Sequence, residues 1–206
     1  MNRHLLVLAS GPFGKDVARR LERDCDTHDV TVQEIDEGTH PSLWPHADLI
    51  VLATSQERPR IAEALDHAAF DWRVPWFGIH TTATDVLCGP VVVPGRTACH
   101  RCYVRRRDQH QRPGHTAAPG DDRYPTGYPR HHVGIAAAFA LHAVDEALRG
   151  PEENAPYATV RRFDQIAGTT SRSSVVAVDR CTRCRAQATS EPLWRALATI
   201  DEGRNR

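Results

Sequence analysis

His4-Leu5-Leu6-Val7-Leu8-Ala9-Ser10-Gly11-Pro12-Phe13-Gly14 opens the chain with an apolar run that ends in a glycine turn. The unbroken apolar residues from Leu5 to Ala9 fit a strand covered on both faces, because a half-exposed strand would alternate. Val17 and Leu21 follow at helical spacing, so this stretch predicts strand, turn and helix in that order. The same grammar continues. Val30-Thr31-Val32 reads as a second strand ending near Glu34-Ile35-Asp36, and Leu49 to Ala53 as a third. Glu57 to Ala68 reads as the helix after it, and Val74 to Ile79 as a fourth strand. Strands alternating with helices predict an α/β domain with a mostly parallel sheet.

Beyond residue 80 the pattern changes. Val86 to Gly95 looks like a strand broken at Gly89-Pro90. Residues 105–127 are rich in Arg, His, Gly and Pro without periodicity, which predicts a long mobile loop. Arg130 to Arg149 carries Val133, Ala137, Ala140, Val144 and Leu148 along one side, and Gly150-Pro151 ends this helix. Short strands are expected around Ala158-Thr159-Val160 and Ser174 to Ala177, and a terminal helix from Ser190 to Ile200. The expected organisation is one domain over 1–185, a Rossmann-like half over 1–80 and a second half over 81–185, followed by a helix or tail over 186–206.

The 206 residues suffice for one well-buried α/β domain. The 26 basic and 26 acidic side chains balance, which argues against nucleic acid as a partner. No apolar run reaches the length of a membrane span, and Leu5 to Ala9 is too short for a signal peptide. A cytoplasmic protein is expected. Lys15 is the only lysine.

Six cysteines in such a protein point to metal rather than disulfides. Cys99-His100-Arg101-Cys102 and Cys181-Thr182-Arg183-Cys184 share one spacing. Two residues between cysteines let both sulfurs reach one tetrahedral ion from a tight turn, and two such knuckles make a four-cysteine zinc set. Four thiolates leave no open position for water, so the expected role is structural. Apparent binding energies of such sites run to roughly 10–16 kcal/mol, comparable with the stability of a domain. Cys25 and Cys88 lack partners in sequence and read as small buried hydrophobes.

Ala9-Ser10-Gly11-Pro12-Phe13-Gly14 matches the dinucleotide fingerprint with alanine in the first place. Gly11 would admit a phosphate, Gly14 would allow close helix–strand packing, and Glu34 or Asp36 would suit a ribose hydroxyl. Pro12 removes a backbone N–H from the place where a phosphate wants donors. The expectation is a vestigial nucleotide site at Gly11, Gly14 and Asp36. A nicotinamide or flavin enzyme using this turn is a further alternative, against which Pro12 and the duplicated knuckle both count.

The order of motifs from His4 to Cys184 resembles the ThiF-type, ubiquitin-activating-like family. The resemblance rests on the glycine turn, the acidic end of the second strand, Asp48 to Ser55, Val74 to Gly78, and Gly89-Pro90 through Pro94-Gly95-Arg96-Thr97-Ala98-Cys99 with the late Cys-x-x-Cys. The Gly-Pro to Cys-x-x-Cys stretch looks most like one branch, the ThiF-like cyclodehydratase partners and leader-peptide-binding proteins of azole-modified microcin and bacteriocin biosynthesis. The resemblance implies a protein that binds a precursor peptide and docks on a YcaO-type cyclodehydratase or another tailoring enzyme, with a homodimer as the default. Branch members commonly carry a winged peptide-recognition domain first. Here the first strand opens the sequence, so leader binding is expected from a separate protein, or the chain only scaffolds.

ThiF-type enzymes adenylate a C-terminal carboxylate and use an aspartate just after the third strand. The matching segment here ends in Ser55, and Leu52 stands where the family has a preceding aspartate. Serine does not hold Mg²⁺ as a carboxylate does. Gly38 to Leu43 replaces the family's basic signature after the second strand. Both departures argue against ATP chemistry and for a non-catalytic accessory role. The alternative is an ATP-dependent enzyme that adenylates the C-terminus of a peptide or carrier protein. Arg105-Arg106-Arg107, with His110, Arg112 and His115 beyond, would grip an acidic leader peptide or a partner surface.

Overall fold

The computed structural model describes residues 2–110, 127–149 and 157–184. The strands are β1 (His4–Ser10), β2 (Asp29–Glu34), β3 (Leu49–Thr54), β4 (Trp76–Thr81), β5 (Asp85–Cys88), β6 (Tyr157–Asp164) and β7 (Thr169–Val176). The helices are α1 (Gly11–Asp24), α2 (Pro59–Trp72), α3 (His100–His110) and α4 (Arg130–Arg149). One mixed sheet runs in the order β2-β1-β3-β4-β5-β6-β7. The first four strands pair in parallel, and β5, β6 and β7 extend the sheet by antiparallel pairings.

The unbroken apolar runs explain the layering. Leu5, Val7 and Ala9 face one side, where they pack with Phe13, Val17 and Leu21 of α1 and with Ala140 and Val144 of α4. Leu6 and Leu8 face the other, against Ile50, Leu52 and Trp76 and the α2 residues Ala62, Leu65 and Ala69. Strand side chains alternate, so a strand with helices on both faces has no polar position to spare. Each of the larger side chains among these contributes about 1.5–3 kcal/mol by leaving water.

The elements differ from expectation in three places. Arg105, Arg106 and Arg107 lie in helix α3 rather than opening a loop. The turn at Cys99 leads straight into this helix, with Tyr103 N–H donating to the Cys99 carbonyl at 3.2 Å. Arginine is a good helix former, so the absence of apolar periodicity did not prevent the helix. Residues 108–110 of the expected loop also belong to α3; residues 111–126, with Arg112 and His115, lie outside the described residues, as do Gly150-Pro151, the expected helix from Ser190 to Ile200 and the tail over 186–206. Secondly, β6 and β7 form a hairpin of eight residues a side, far longer than the short strands expected. Most of β7 is Thr, Ser and Arg exposed on both faces, which gives no alternation to read. Thirdly, α2 begins at Pro59, where a proline in the first turn costs no hydrogen bond. Among the described residues no helix is long and apolar enough to cross a membrane.

Candidate metal centre

The sequence brings the first cysteine pair to the sheet through a tight turn. Gly95, at φ +78°, takes a conformation that favours glycine, and Val93 N–H donates to Thr97 Oγ1 at 2.9 Å. Cys102 N–H then donates to the Cys99 carbonyl at 3.0 Å, which folds the two sulfurs onto one side. The second pair follows β7. Cys181 N–H donates to the Val178 carbonyl at 3.2 Å, after Arg180 at φ 52°. Val178 N–H donates to the Cys102 sulfur at 3.3 Å, so each knuckle supports the other.

The four sulfurs of Cys99, Cys102, Cys181 and Cys184 lie within 4.8 Å of one another. Cys99 and Cys102 are 3.7 Å apart, Cys99 and Cys181 3.7 Å, and Cys102 and Cys184 3.6 Å. A disulfide would need about 2.05 Å. Four thiolates around a tetrahedral ion at about 2.3 Å are separated by roughly 3.8 Å, so these edges fit a metal-ligating set and are compatible with zinc. Three of the sulfurs are buried and Cys184 is partly so. Contact with the Cys184 sulfur, together with burial, pushes the Cys99 thiol up, and burial pushes Cys102 up. Burial acts the same way on Cys181, yet the N–H groups of Cys184 and Arg183 bring it below the usual thiol range. Four negative sulfurs this close need a cation among them, and a thiol that coordinates one loses its proton.

A residue that the sequence reading passed over ties this centre to the parallel sheet. Asp66 of α2 is wholly buried. Its Oδ1 accepts from Trp76 Nε1 and from the His100 N–H, both at 3.2 Å, and its Oδ2 accepts from Arg183 Nη1 at 2.5 Å. Arg183 also reaches Glu63 at 3.3 Å. One carboxylate thus holds β4 and both knuckles. The signal was present in the sequence, since Asp66 shares a helical face with Ala62, Leu65 and Ala69, where a lone carboxylate has to find buried partners.

The glycine turn lies at the opposite end of β1 from the chain start. Gly11 N–H donates to Asp36 Oδ1 at 2.7 Å, and Ser10 Oγ donates to the same oxygen at 3.0 Å. Pro12 has no N–H, and Phe13 N–H donates to Ser55 Oγ at 3.0 Å. The amides at the start of α1 are therefore taken by the chain's own side chains. Burial raises the Asp36 carboxyl, but Lys15 at 2.6 Å with the Gly11 and Ser10 donors brings it down to about 2. Gly14 serves packing: a Cβ there would stand 2.3 Å from the Ala53 carbonyl oxygen.

The three arginines on α3 divide. Arg105 is exposed, whereas Arg106 and Arg107 are half-buried. Arg107 donates to Glu57 at 2.5 Å and stacks over Tyr103 at 5.5 Å. His131 and His132 pack edge to face; His131 is exposed, whereas His132 is buried and packs onto Phe163. Cys25 and Cys88 are buried.

No protein-family model matches the sequence, and no curated protein is similar to it. The fold is similar to that of several solved structures. The heterocyclase TruD is 17% identical with a TM-score of 0.57, over 89% of this chain and 27% of that one. A chain of the Escherichia coli microcin synthetase McbBCD complex is 13% identical with a TM-score of 0.59, over 87% of this chain and 67% of that one. The microcin C7 biosynthetic enzyme MccB, solved with N-formylated MccA, is 14% identical with a TM-score of 0.58, over 89% and 67%. The chain thus spans about a quarter of TruD, 27% of its length, and about two thirds of the microcin proteins. At such identities the likeness is one of fold.

Proposed function

We propose that the chain is a ThiF-like accessory component of ribosomal peptide biosynthesis, with structural zinc, that holds a precursor peptide or docks on a YcaO-type cyclodehydratase or other tailoring enzyme. One observation carries the non-catalytic part. The amides that would receive a nucleotide phosphate are occupied, Gly11 by Asp36 and Phe13 by Ser55, and Pro12 has none to offer. Ser55 also stands where the adenylating family has its aspartate, so both the phosphate cradle and the carboxylate for Mg²⁺ are replaced. The closed four-sulfur set favours zinc as a staple rather than a catalyst. The assignment to peptide biosynthesis is supported by the fold's likeness to a heterocyclase and to microcin synthetases. A homodimeric cytoplasmic protein is part of this reading.

The competing reading, an ATP-dependent adenylating enzyme, draws support from the similar fold of E. coli MccB, which was solved with ATP. ATP–pyrophosphate exchange in the presence of candidate precursor peptides separates the two. The accessory role expects no exchange by this chain alone. A peptide-dependent signal that survives repurification and disappears in Asp36→Ala would establish the enzyme instead.

A further inference from the structure

A second buried polar cluster lies on the α2 face of the sheet, at the carboxyl ends of β3 and β4. Thr54, Gly78 and His80 meet His100 and Tyr103 of α3 there, around a cavity of about 20 Å³ with Glu57 in its lining. One ordered water needs about 10–15 Å³, so the space takes a single small polar group and excludes a nucleotide. Carboxyl ends of parallel strands are where α/β folds place ligands.

Two of the histidines that line it keep a buried ring nitrogen without a hydrogen-bond partner. His80 and His100 are 9% and 6% exposed, and His80 Nε2 and His100 Nδ1 have no hydrogen-bond partner. Beside them Arg107 gives Nη1 to Glu57, while its Nε is buried without a hydrogen bond. Among the described residues every buried side-chain polar atom without a partner is a nitrogen. Burial holds the His80 imidazole neutral, with one N–H to donate. A cation is disfavoured by Arg107, and outside the four cysteines no three ligating groups converge among the described residues.

We propose that this cavity binds a carboxylate, whose oxygens accept N–H bonds from His80 Nε2 and His100 Nδ1, with the positive charge of Arg107 nearby and Arg58 in the lining. Arg107 already pairs with Glu57, so a bound carboxylate shares this guanidinium with it. The ligand is a small organic acid or the acidic side chain or terminus of a peptide; the chemistry at the cavity is the same. The inference does not depend on the role proposed above.

The test follows the His80 and His100 ring resonances of the zinc-loaded full chain by NMR at constant ionic strength. Acetate is titrated against acetamide, its uncharged analogue, and against chloride. A second arm uses N-acetyl-Gly-Glu-amide and its Gln counterpart. The expected result is a saturable shift with acetate and none with acetamide or chloride, with affinity reduced at least tenfold in His80→Leu at unchanged zinc content. His80→Asn, which keeps a donor, is expected to retain part of the affinity and serves if the leucine variant does not fold. A response to the glutamate peptide as well identifies a carboxylate carried on a chain as the ligand, and acetate alone identifies a free acid. No saturable shift, as for a cavity filled by water, equal shifts with acetamide or chloride, or unchanged affinity in both His80 variants would overturn the proposal.

Discussion

Arg183, between the last two cysteines, donates to the buried carboxylate of Asp66 across 117 residues of sequence at 2.5 Å. The contact makes the metal-binding turn part of the core of the parallel half, because Asp66 also holds Trp76 and the amide that starts α3. A pair this deep is costly to desolvate, and removing one partner leaves the other charge buried.

Asp66→Ala is therefore expected to destabilise the protein by about 3–5 kcal/mol in chemical denaturation. Arg183→Met should also destabilise, since it leaves the buried Asp66 carboxylate with only two neutral donors. The double variant is expected to lose less than the sum of the two. Additive losses would mean that the pair is not coupled.

Purified protein is expected to contain about one zinc per chain, as four thiolates closing on one tetrahedral ion require. Cys99→Ser or Cys184→Ser should lose the metal and unfold or aggregate, because binding energy of this kind is folding energy. Metal analysis of soluble, folded protein is the check, and protein folded without zinc would refute the assignment.

Gly14→Ala is expected to cost about 3 kcal/mol or more, since the added methyl meets backbone at 2.3 Å rather than a side chain that can turn aside. Thermal denaturation reads this directly. Gly38→Ala offers open space at its position and should cost only its backbone strain at φ +108°.

Arg105 and Arg107 should separate docking from stability. Arg107→Ala loses the contacts with Glu57 and Tyr103 and is expected to cost about 1 kcal/mol. Arg105→Ala should leave folding and zinc content unchanged and weaken capture of precursor peptide or partner enzyme, most at low salt. Equal affinities of wild type and Arg105→Ala at low salt would remove this residue from the docking surface.

How far the sequence reached follows from which forces are local. The apolar runs at Leu5–Ala9 and Leu49–Ala53, the helical spacing after Gly11 and the repeated Cys-x-x-Cys state their own period or ligand geometry, so strands, helices and the four-sulfur set were legible. The close approach at Gly14 was legible too, as glycine alone tolerates it. Helix α3 was not, because its stability comes from anchoring at Cys99 and packing of Tyr103 and Arg107, none of which leaves a periodic apolar trace. The length of the β6–β7 hairpin was hidden for a similar reason: β7 is held by backbone pairing along its polar strand, and hydrogen bonding of the main chain is indifferent to side-chain polarity. The partners of Asp66, Asp36 and Ser55 were decided only by tertiary structure. A buried carboxylate must be satisfied, and the sequence fixes neither which donors come within reach nor that two of the first amides of α1 are spent on the chain itself.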